Sequence, residues 1–321
     1  MPAESEVLGK GTKQNVGHPS RISTVKVDWA RFAYVQYATA LDHVCNALMI
    51  FASLTKTPSL ADKVLLYPEE WSTDPAKGDS DTARLLVQMR DQYGVKLQPI
   101  ELQEKKNAGD STWAAGYTKL LAWNQTAYER VLHLDSDGLV LQSMDELFLM
   151  PPAPLALPRA YWIDADERKR SAQIMLVTPS DYEFARVKAT MDAGKHDDYD
   201  MEIVNTLYQD HAIIIPHRPY NLLSGEFKAP PQNHKAYLGT DEPWDGAKIM
   251  KEAKYLHFSD WPVPKPWFNI PKSAFEAHQP KCWNTEEGEE KDCRDRDIWR
   301  KLYSDFAKAR KDLCGFDLVM R

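Results

Sequence analysis

The sequence predicts an α/β fold in which a mainly parallel central sheet is flanked by helices. Short apolar runs with strand-like patterning alternate with amphipathic helical segments over residues 31–134. Such alternation is typical of a parallel sheet that is covered on both faces. The chain has 321 residues, which is long for one domain, but α/β enzymes of this size often have a single core.

The first half of the chain supplies most of the predicted sheet. Residues 31–37 alternate between apolar and polar as a strand does, and residues 41–52 place apolar groups on one helical face. Residues 63–67 form a short apolar run that ends at Pro68, which favours a buried strand. The elements that follow are predicted as helix 83–93, strand 95–102, helix 119–128 and strand 131–134.

Prolines mark a change of pattern in the second half. Residues 150–158 contain four prolines and predict a loop. After it, the sequence predicts strand 171–177, helix 182–191, a helix over 203–208, strand 212–215 and, beyond the proline-rich residues 263–271, a charged amphipathic helix over 298–313. The chain therefore divides into a flexible N-terminal tail (1–25), a main domain (26–271) and a helical C-terminal extension (272–321).

Composition excludes several classes of protein. The net charge is -7, so there is no bulk electrostatic reason to bind nucleic acid. No run approaches the roughly 18 apolar residues of a membrane-spanning helix. Residues 1–23 lack the apolar segment of a secretory signal, and two interpretations stay open for them: a loose tail or the remains of a truncated anchor.

The chain has four cysteines, none in a Cys-x-x-Cys zinc pattern. Cys45 lies in an apolar helical pattern and is predicted to be a small buried hydrophobic residue. The other three, Cys282, Cys293 and Cys314, lie near the C-terminus. Cys282 and Cys293 would pair in an oxidising lumen, and free thiols are the equally weighted alternative.

Asp135 and Asp137 are the leading candidates for chemistry. They directly follow the apolar run 131–134, and Gly138 and a second apolar run come after them. In an open α/β sheet, ligands bind beyond the carboxyl ends of the strands. Two carboxylates between apolar strands are costly unless a cation neutralises them, and their oxygens suit Mg²⁺ or Mn²⁺.

Asp-x-Asp spacing alone is a weak signal, because most such pairs are solvated loop carboxylates. The same spacing occurs four more times, at Asp79/Asp81, Asp164/Asp166, Asp198/Asp200 and Asp295/Asp297. The apolar runs on both sides distinguish the pair at 135 and 137.

Residues 130–148 (Arg-Val-Leu-His-Leu-Asp-Ser-Asp-Gly-Leu-Val-Leu-Gln-Ser-Met-Asp-Glu-Leu-Phe) resemble the core of the family 8 glycosyltransferases, which include glycogenin and galactinol synthase. The resemblance is closest to fungal N-acetylglucosaminyltransferase-like members and covers roughly residues 31–271. It implies a GT-A fold, a UDP-sugar donor, Mn²⁺ (or Mg²⁺) and retention of the anomeric configuration. Residues 26–271 would then move a hexosyl unit (GlcNAc, glucose or galactose) to a glycan or another hydroxyl acceptor.

The resemblance implies roles in binding the donor's diphosphate. Asp135, Ser136 and Asp137 would grip the metal that holds it, and His257 would supply the third protein ligand. Lys265 would neutralise the leaving diphosphate. The spacing from His257 to Lys265 is two residues longer than in glycogenin, and the family's glycine is missing between them.

The resemblance also points to residues around the nucleoside. Tyr37 and Thr39 stand where the first strand of the family ends and holds uridine. His43 stands where the family usually has a tyrosine that stacks on uracil, and Ala40 replaces a usual asparagine. Lys119 matches a family lysine near the donor.

Further matches lie beside the transferred sugar. Asp200 and Asn205 match the family's Asp-Gln-x-x-x-Asn pattern, but Met201 replaces the glutamine. Because methionine is no oxygen nucleophile, a front-side displacement, in which the leaving phosphate takes the acceptor's proton, fits better than a covalent intermediate. Asp200 would position sugar hydroxyls, with Glu202 as a substitute, and Gln173 would reach the sugar.

Other readings remain open at this point. A sugar-phosphate nucleotidyltransferase usually has a Gly-rich loop after its first strand, whereas residues 37–46 contain no glycine. The departures at Ala40, His43 and Met201 keep open a non-catalytic relative that binds UDP-sugars. The donor sugar, the acceptor and a homodimer are not settled. The compartment is the Golgi lumen if an N-terminal anchor precedes this chain, and the cytoplasm otherwise.

Overall fold

The computed structural model describes residues 26–74, 76–77, 80–103, 111–194, 198–284 and 291–318. The predicted N-terminal tail lies outside these residues. Within them, no helix has the length and apolar character needed to cross a membrane.

Three sheets are present in the described part of the chain. The strands are β1 (Phe32–Tyr37), β2 (Asp62–Pro68), β3 (Lys96–Ile100), β4 (Arg130–Leu134), β5 (Gly138–Val140), β6 (Leu155–Pro158), β7 (Ile174–Val177), β8 (Ile213–Ile215), β9 (Leu222–Leu223), β10 (Tyr255–His257), β11 (Trp283–Asn284) and β12 (Lys291–Asp292). The central sheet has the order β3-β2-β1-β4-β7-β6-β8, and β5-β10-β9 and β11-β12 form two small sheets.

The α-helices cover the sheet and its edges. They are α1 (Leu41–Lys56), α2 (Ser80–Tyr93), α3 (Asp181–Ala193), α4 (Asp200–Tyr208), α5 (His217–Tyr220), α6 (Lys235–Leu238), α7 (Gly246–Glu252), α8 (Lys272–His278) and α9 (Arg294–Cys314). Short 3₁₀ helices occupy Trp29–Arg31, Asp145–Leu149, Ala165–Glu167 and Ser224–Lys228, and a longer one spans Ser111–Asn124.

The central sheet is mainly parallel, as predicted. Strand β1 pairs in parallel with β2 on one side and β4 on the other, and β2 pairs in parallel with β3. Both faces of β1 and β4 are buried, which accounts for the apolar run 131–134 that predicted β4. Strand β7 runs antiparallel to β4, so β7 begins at the edge where β4 ends.

Two predictions of secondary structure are wrong. Residues 150–158 are not only a loop, because β6 pairs with β7 and β8. Pro154 and Pro158 lie on either side of only three strand residues, so the proline content of the segment outweighs its apolar pattern. Pro158 is the last residue of the strand. The helix predicted over 119–128 is instead the 3₁₀ helix Ser111–Asn124. Residues 117–123 are all buried, so apolar spacing could not distinguish the helix type or its bounds.

The C-terminal extension packs on α1. The predicted helix 298–313 lies within α9, whose Trp299, Tyr303 and Phe306 belong to the same hydrophobic cluster as the α1 residues Leu48 and Phe51. The division of the chain at residue 271 stays a prediction.

The cysteine prediction needs correction at Cys45. Cys45 is fully buried, but it forms a disulfide with Cys314 at the end of α9. Cys282 and Cys293 form the second disulfide, which favours the paired alternative for these two residues. Sequence patterning missed the first bond because its partners are 269 residues apart, and only the packing of α9 on α1 brings them together.

Candidate metal and donor site

The turn between β4 and β5 is held by three hydrogen bonds, two between backbone groups and one from a side chain. The N–H of Asp135 donates to the carbonyl of Gln173 at 2.9 Å, and the N–H of Phe258 donates to the carbonyl of Asp137 at 2.9 Å. The Tyr255 hydroxyl donates to the carbonyl of Asp135 at 2.8 Å. A Cβ atom at Gly138 would lie 2.3 Å from that hydroxyl, so only glycine fits there.

Asp135, Asp137 and His257 converge on one point. One ligand atom from each lies within 4.8 Å of the other two. His257 Nε2 is 2.9 Å from Asp137 Oδ1 and 3.9 Å from Asp135 Oδ2. His257 ends β10, which pairs with Gly138 on one side and Leu223 on the other. Carboxylate and imidazole donors suit Mn²⁺, and carboxylates suit Mg²⁺.

The hydrogen bonding of the Gln173 side chain indicates whether these residues fit a metal. Its Nε2 lies 3.1 Å from His257 Nδ1, and its Oε1 is buried without a hydrogen-bond partner in the described structure. The two ends of an amide exchange on rotation. With Oε1 toward Nδ1, the amide would accept the Nδ1 proton and leave Nε2 for a cation, as is usual for metal-bound histidines. The residues therefore fit a divalent cation.

Two lysines contact the carboxylates of this cluster. Lys119 Nζ lies 2.7 Å from Asp135 Oδ1 and 2.6 Å from Asp200 Oδ2, and Lys265 Nζ lies 2.6 Å from Asp137 Oδ2. Lys265 also donates to the carbonyl of Phe258 at 2.7 Å. The segment between His257 and Lys265 is two residues longer than in glycogenin, and it still places the Lys265 ammonium group against Asp137.

The protonation equilibria of the cluster reflect burial and crowding. Burial, against the opposing effect of Lys119, raises the pKa of Asp135 to about 7, and the neighbouring Asp137 and Asp200 add to the rise. Burial disfavours the charged form of Asp137 too, but His257 and Lys265 outweigh it and hold the pKa of Asp137 well below its usual range. Burial lowers the pKa of His257, which favours the neutral imidazole that a metal requires.

The predicted nucleoside residues lie beside this cluster. Tyr37 ends β1, and its ring stacks on His133 at 5.8 Å between centroids. Burial raises the pKa of Tyr37 against the opposing effect of Lys119, and the nearby carboxylate of Asp135 adds to the rise. Thr39 Oγ1 lies 3.1 Å from His43 Nδ1. His43 meets the ring of Trp267 edge-on at 6.0 Å, which connects α1 to the segment that carries Lys265.

The residues predicted around the sugar divide into two groups. Asp200 is linked to Asp135 by Lys119, which contacts both carboxylates. Ser136 is half-buried and lies between Asp135 and Asp137 in the sequence. Glu202 instead caps α4, because the N–H of Tyr199 donates to its Oε2 at 3.1 Å. Asn205 likewise has a structural part: its Oδ1 accepts from the N–H of Arg170 at 2.8 Å.

Sequence reasoning missed two residues that shape the site. Tyr255 holds the turn at Asp135, and Trp267 lies against His43. Trp267 had a signal, since it closes the Lys-Pro-Trp segment that carries Lys265. Tyr255 had none, because its hydroxyl bonds to a backbone carbonyl 120 residues away in sequence.

Two known proteins with similar sequences come from fungi. A protein named Glucose N-acetyltransferase 1 from Gibberella zeae is 50% identical over 293 residues, which cover 90% of this chain and 63% of that protein. A protein of the same name from Aspergillus fumigatus is 42% identical over 306 residues, or 91% of this chain and 79% of that protein. The chain belongs to the glucose N-acetyltransferase 1 family. It spans less than two thirds of the length of the Gibberella relative.

The resemblance to family 8 glycosyltransferases is confirmed. Glycogenin-1 from Caenorhabditis elegans is 26% identical to the chain over 159 residues, which cover 45% of the chain and 35% of glycogenin-1. No family model matches the chain.

Solved structures confirm the GT-A fold. The galactosyltransferase LgtC superposes with a TM-score of 0.51 at 13% identity, covering 85% of this chain and 95% of LgtC. The bifunctional glycosyltransferase WbbM superposes with a TM-score of 0.55 at 15% identity, covering 89% of this chain and 50% of WbbM. The chain therefore belongs to the glucose N-acetyltransferase 1 family and has the fold of these glycosyltransferase structures.

Proposed function

We propose that this protein transfers a hexosyl unit from a UDP-sugar to a hydroxyl acceptor, with retention of configuration and with a bound divalent cation. The observation that carries the proposal is the convergence of Asp135, Asp137 and His257 at the edge of the sheet, with Lys265 on the same carboxylate. A site that concentrates cationic and metal-binding groups beside the end of β1 suits a nucleoside diphosphate.

Each residue of the cluster has a part in this reaction. Asp135, Asp137 and His257 would hold Mn²⁺ or Mg²⁺, and Tyr37 and Thr39 would contact the uridine. The cation supplies positive charge to the diphosphate as it leaves. Lys265 would add a second positive charge beside the diphosphate. When the donor binds, its ammonium group would leave Asp137 and pair with a phosphate oxygen instead.

The proposed displacement occurs on one face of the sugar. The bond between C1 and the phosphate oxygen breaks as the acceptor oxygen bonds to C1 from the same side, and the proton of the acceptor hydroxyl passes to the leaving phosphate. Asp200, held by Lys119 at 2.6 Å, would orient a sugar hydroxyl, and Gln173, beside His257, would orient another. No covalent intermediate is needed, which accords with Met201 in place of the family's glutamine.

The name of the relatives narrows the choice of donor. Read literally, it describes acetyl transfer to glucose, whereas the cluster of two carboxylates and an imidazole favours a diphosphate. UDP-N-acetylglucosamine carries an N-acetylated glucosamine unit on a diphosphate. It therefore agrees both with the name of the relatives and with the cluster. We therefore place it first among the donors, before UDP-glucose and UDP-galactose.

A screen of UDP-sugars for hydrolysis tests the proposal. In the presence of Mn²⁺, UDP release is expected from at least one of the three donors. Lys265→Gln should lower the rate by roughly 100-fold, because one group that stabilises the leaving charge is lost. Lys254→Gln is the matched control, since Lys254 has a similar exposure but pairs with Glu146. Turnover of no donor, with UDP binding intact, would instead identify a non-catalytic UDP-sugar-binding relative.

A further inference from the structure

A cavity of about 550 Å³ opens at the edge of the central sheet where β4 ends. We call it the basic cavity; its lining includes residues 159–165 and 168–170, with Ile214, His217 and Ala236. Strand β6 ends just before it and β8 runs into it. Because β6 and β4 both run antiparallel to β7, this cavity and the turn after β4 lie at the same edge.

Positive charge dominates the lining of the basic cavity. Four cationic side chains line it, against one carboxylate, that of Asp164. Arg168 pairs with Asp210 at 2.9 Å, whereas neither Arg159 nor Lys169 forms an ion pair with any residue the structure describes. The chain as a whole carries a net charge of -7. The positive lining of the basic cavity is therefore opposite in sign to the overall charge, and it favours binding of an anion.

Arg170 is the buried member of the set. Its side chain donates only to carbonyls, from Nη1 to Arg168 at 2.6 Å and from Nη2 to Gln209 at 3.2 Å, and its Nε has no partner in the described structure. Burial lowers the pKa of Arg170, and the positive charges of Arg159 and Arg168 lower it further, against the opposing effect of Asp210, which forms its ion pair with Arg168. A buried guanidinium without a carboxylate is costly, and a bound anion would offset that cost.

Aromatic rings lie beside the cations. Trp162 is 41% exposed and meets Tyr161 edge-on at 5.3 Å, while Tyr161 stacks on His217 at 4.9 Å. Burial lowers the pKa of His217, so this imidazole adds apolar surface rather than charge near neutral pH. An exposed aromatic face next to several cations suits a sugar ring that bears an anionic substituent.

The basic cavity shares a wall with the metal cluster. The N–H of Leu223 donates to the Tyr161 hydroxyl at 3.3 Å, and Leu223 pairs with His257 across β9 and β10. On the other side, Arg170 precedes Gln173 by three residues, and Gln173 contacts His257. The basic cavity is therefore connected to the metal cluster through Tyr161 and Leu223 and through the segment from Arg170 to Gln173.

We propose that the basic cavity binds a sugar that carries a phosphate monoester. The phosphate would contact Arg159 and Lys169, and the sugar ring would lie against Trp162. A phosphate monoester carries close to two negative charges at neutral pH, and arginine suits it through its planar, forked set of donors. That this phosphosugar is the acceptor of the transferred hexose rests on the proposed function; its binding does not.

Calorimetry without a donor tests the binding. The probes are glucose 6-phosphate, glucose and inorganic phosphate, and we expect glucose 6-phosphate to bind at least about tenfold more tightly than either of the others. The double variant Arg159→Gln/Lys169→Gln should remove this advantage. Trp162→Ala should weaken binding of glucose 6-phosphate and leave inorganic phosphate unaffected. Lys272→Gln/Lys308→Gln, on helices that do not line the cavity, removes the same charge and should change nothing.

The result separates this proposal from the proposed function. Glucose 6-phosphate that binds no better than glucose would overturn it, and so would inorganic phosphate that binds as well as the phosphosugar. Retention of tight binding in Arg159→Gln/Lys169→Gln would place the phosphosugar elsewhere and overturn it as well. Hydrolysis of the UDP-sugar is expected to be unchanged in this variant. Because the calorimetry is done without a donor, the binding result holds even if the wild type turns over no UDP-sugar.

Discussion

Gln173 lies between the end of β4 and the imidazole of His257, with one amide oxygen unpartnered among the described residues. At the scale of single residues, this side chain decides which nitrogen of His257 carries the proton. A partner of this kind commonly raises metal affinity 10–100-fold. The sequence predicted Gln173 as a contact of the sugar, and that role stays a prediction beside the contact that the structure shows.

Gln173→Leu is expected to weaken Mn²⁺ binding by about 10–100-fold, because His257 loses the group that fixes its orientation and tautomer. Titration of Mn²⁺ by electron paramagnetic resonance measures this without any turnover. Gln88→Leu is the control, since Gln88 donates only to the carbonyl of Leu313 on α9. Equal Mn²⁺ affinity in the wild type and Gln173→Leu would contradict the assignment.

At the scale of elements, α9 holds the segment that joins His257 to Lys265. Asp260 lies in that segment and is buried. Its carboxylate accepts hydrogen bonds from Trp299 Nε1 at 2.9 Å and Tyr303 Oη at 3.0 Å on α9, and from Ser224 Oγ. The C-terminal helix therefore positions a segment of the candidate site.

Asp260→Ala should lower the free energy of unfolding by about 3 kcal/mol, because three buried donors lose their acceptor. Tyr303→Phe should cost about 1 kcal/mol, since one hydrogen bond is lost. Urea denaturation measures both, and Tyr182→Phe at an exposed site should change stability little. If Asp260→Ala unfolded at the same urea concentration as the wild type, α9 would not depend on this network.

The two disulfides should differ in what they contribute. The bond between Cys45 and Cys314 closes 269 residues of sequence, and the bond between Cys282 and Cys293 closes only 11. Chain entropy in the unfolded state predicts a larger loss of stability from Cys314→Ser than from Cys293→Ser, by about 3 kcal/mol.

Thermal unfolding with and without reductant measures this difference. The wild type should lose more stability on reduction than Cys314→Ser, because the variant has only the bond between Cys282 and Cys293 left to lose. Equal stability of the two serine variants would contradict the entropic argument. Pairing of all four cysteines is typical of an oxidising compartment, and so favours the lumenal alternative.

For the whole molecule, the sequence predicted what depends on local patterning. Strand β4 and its two aspartates were recognisable because an apolar run leads directly into them, and the GT-A fold followed from family resemblance. Asp135, Asp137 and His257 lie together as predicted, although His257 is 120 residues further along the chain than Asp137. Their role in metal binding stays a prediction.

The features that sequence did not reveal depend on contacts between distant segments. The bond from Cys45 to Cys314, the hydroxyl of Tyr255 at Asp135 and the carboxylate of Asp260 against α9 all join residues that packing alone brings together. Strand β6 was missed for a different reason, because its prolines conceal a strand that the neighbouring β7 and β8 stabilise.

Calorimetric binding of UDP with and without Mn²⁺ tests the central claim most directly. We expect the wild type to bind UDP in a Mn²⁺-dependent manner. Asp137→Ala should lose that dependence and remain folded by circular dichroism, because one of the three ligands is removed. Asp297→Ala, at the exposed aspartate of another Asp-x-Asp pair, should behave as the wild type. Unchanged Mn²⁺-dependent binding of UDP by Asp137→Ala would contradict the account.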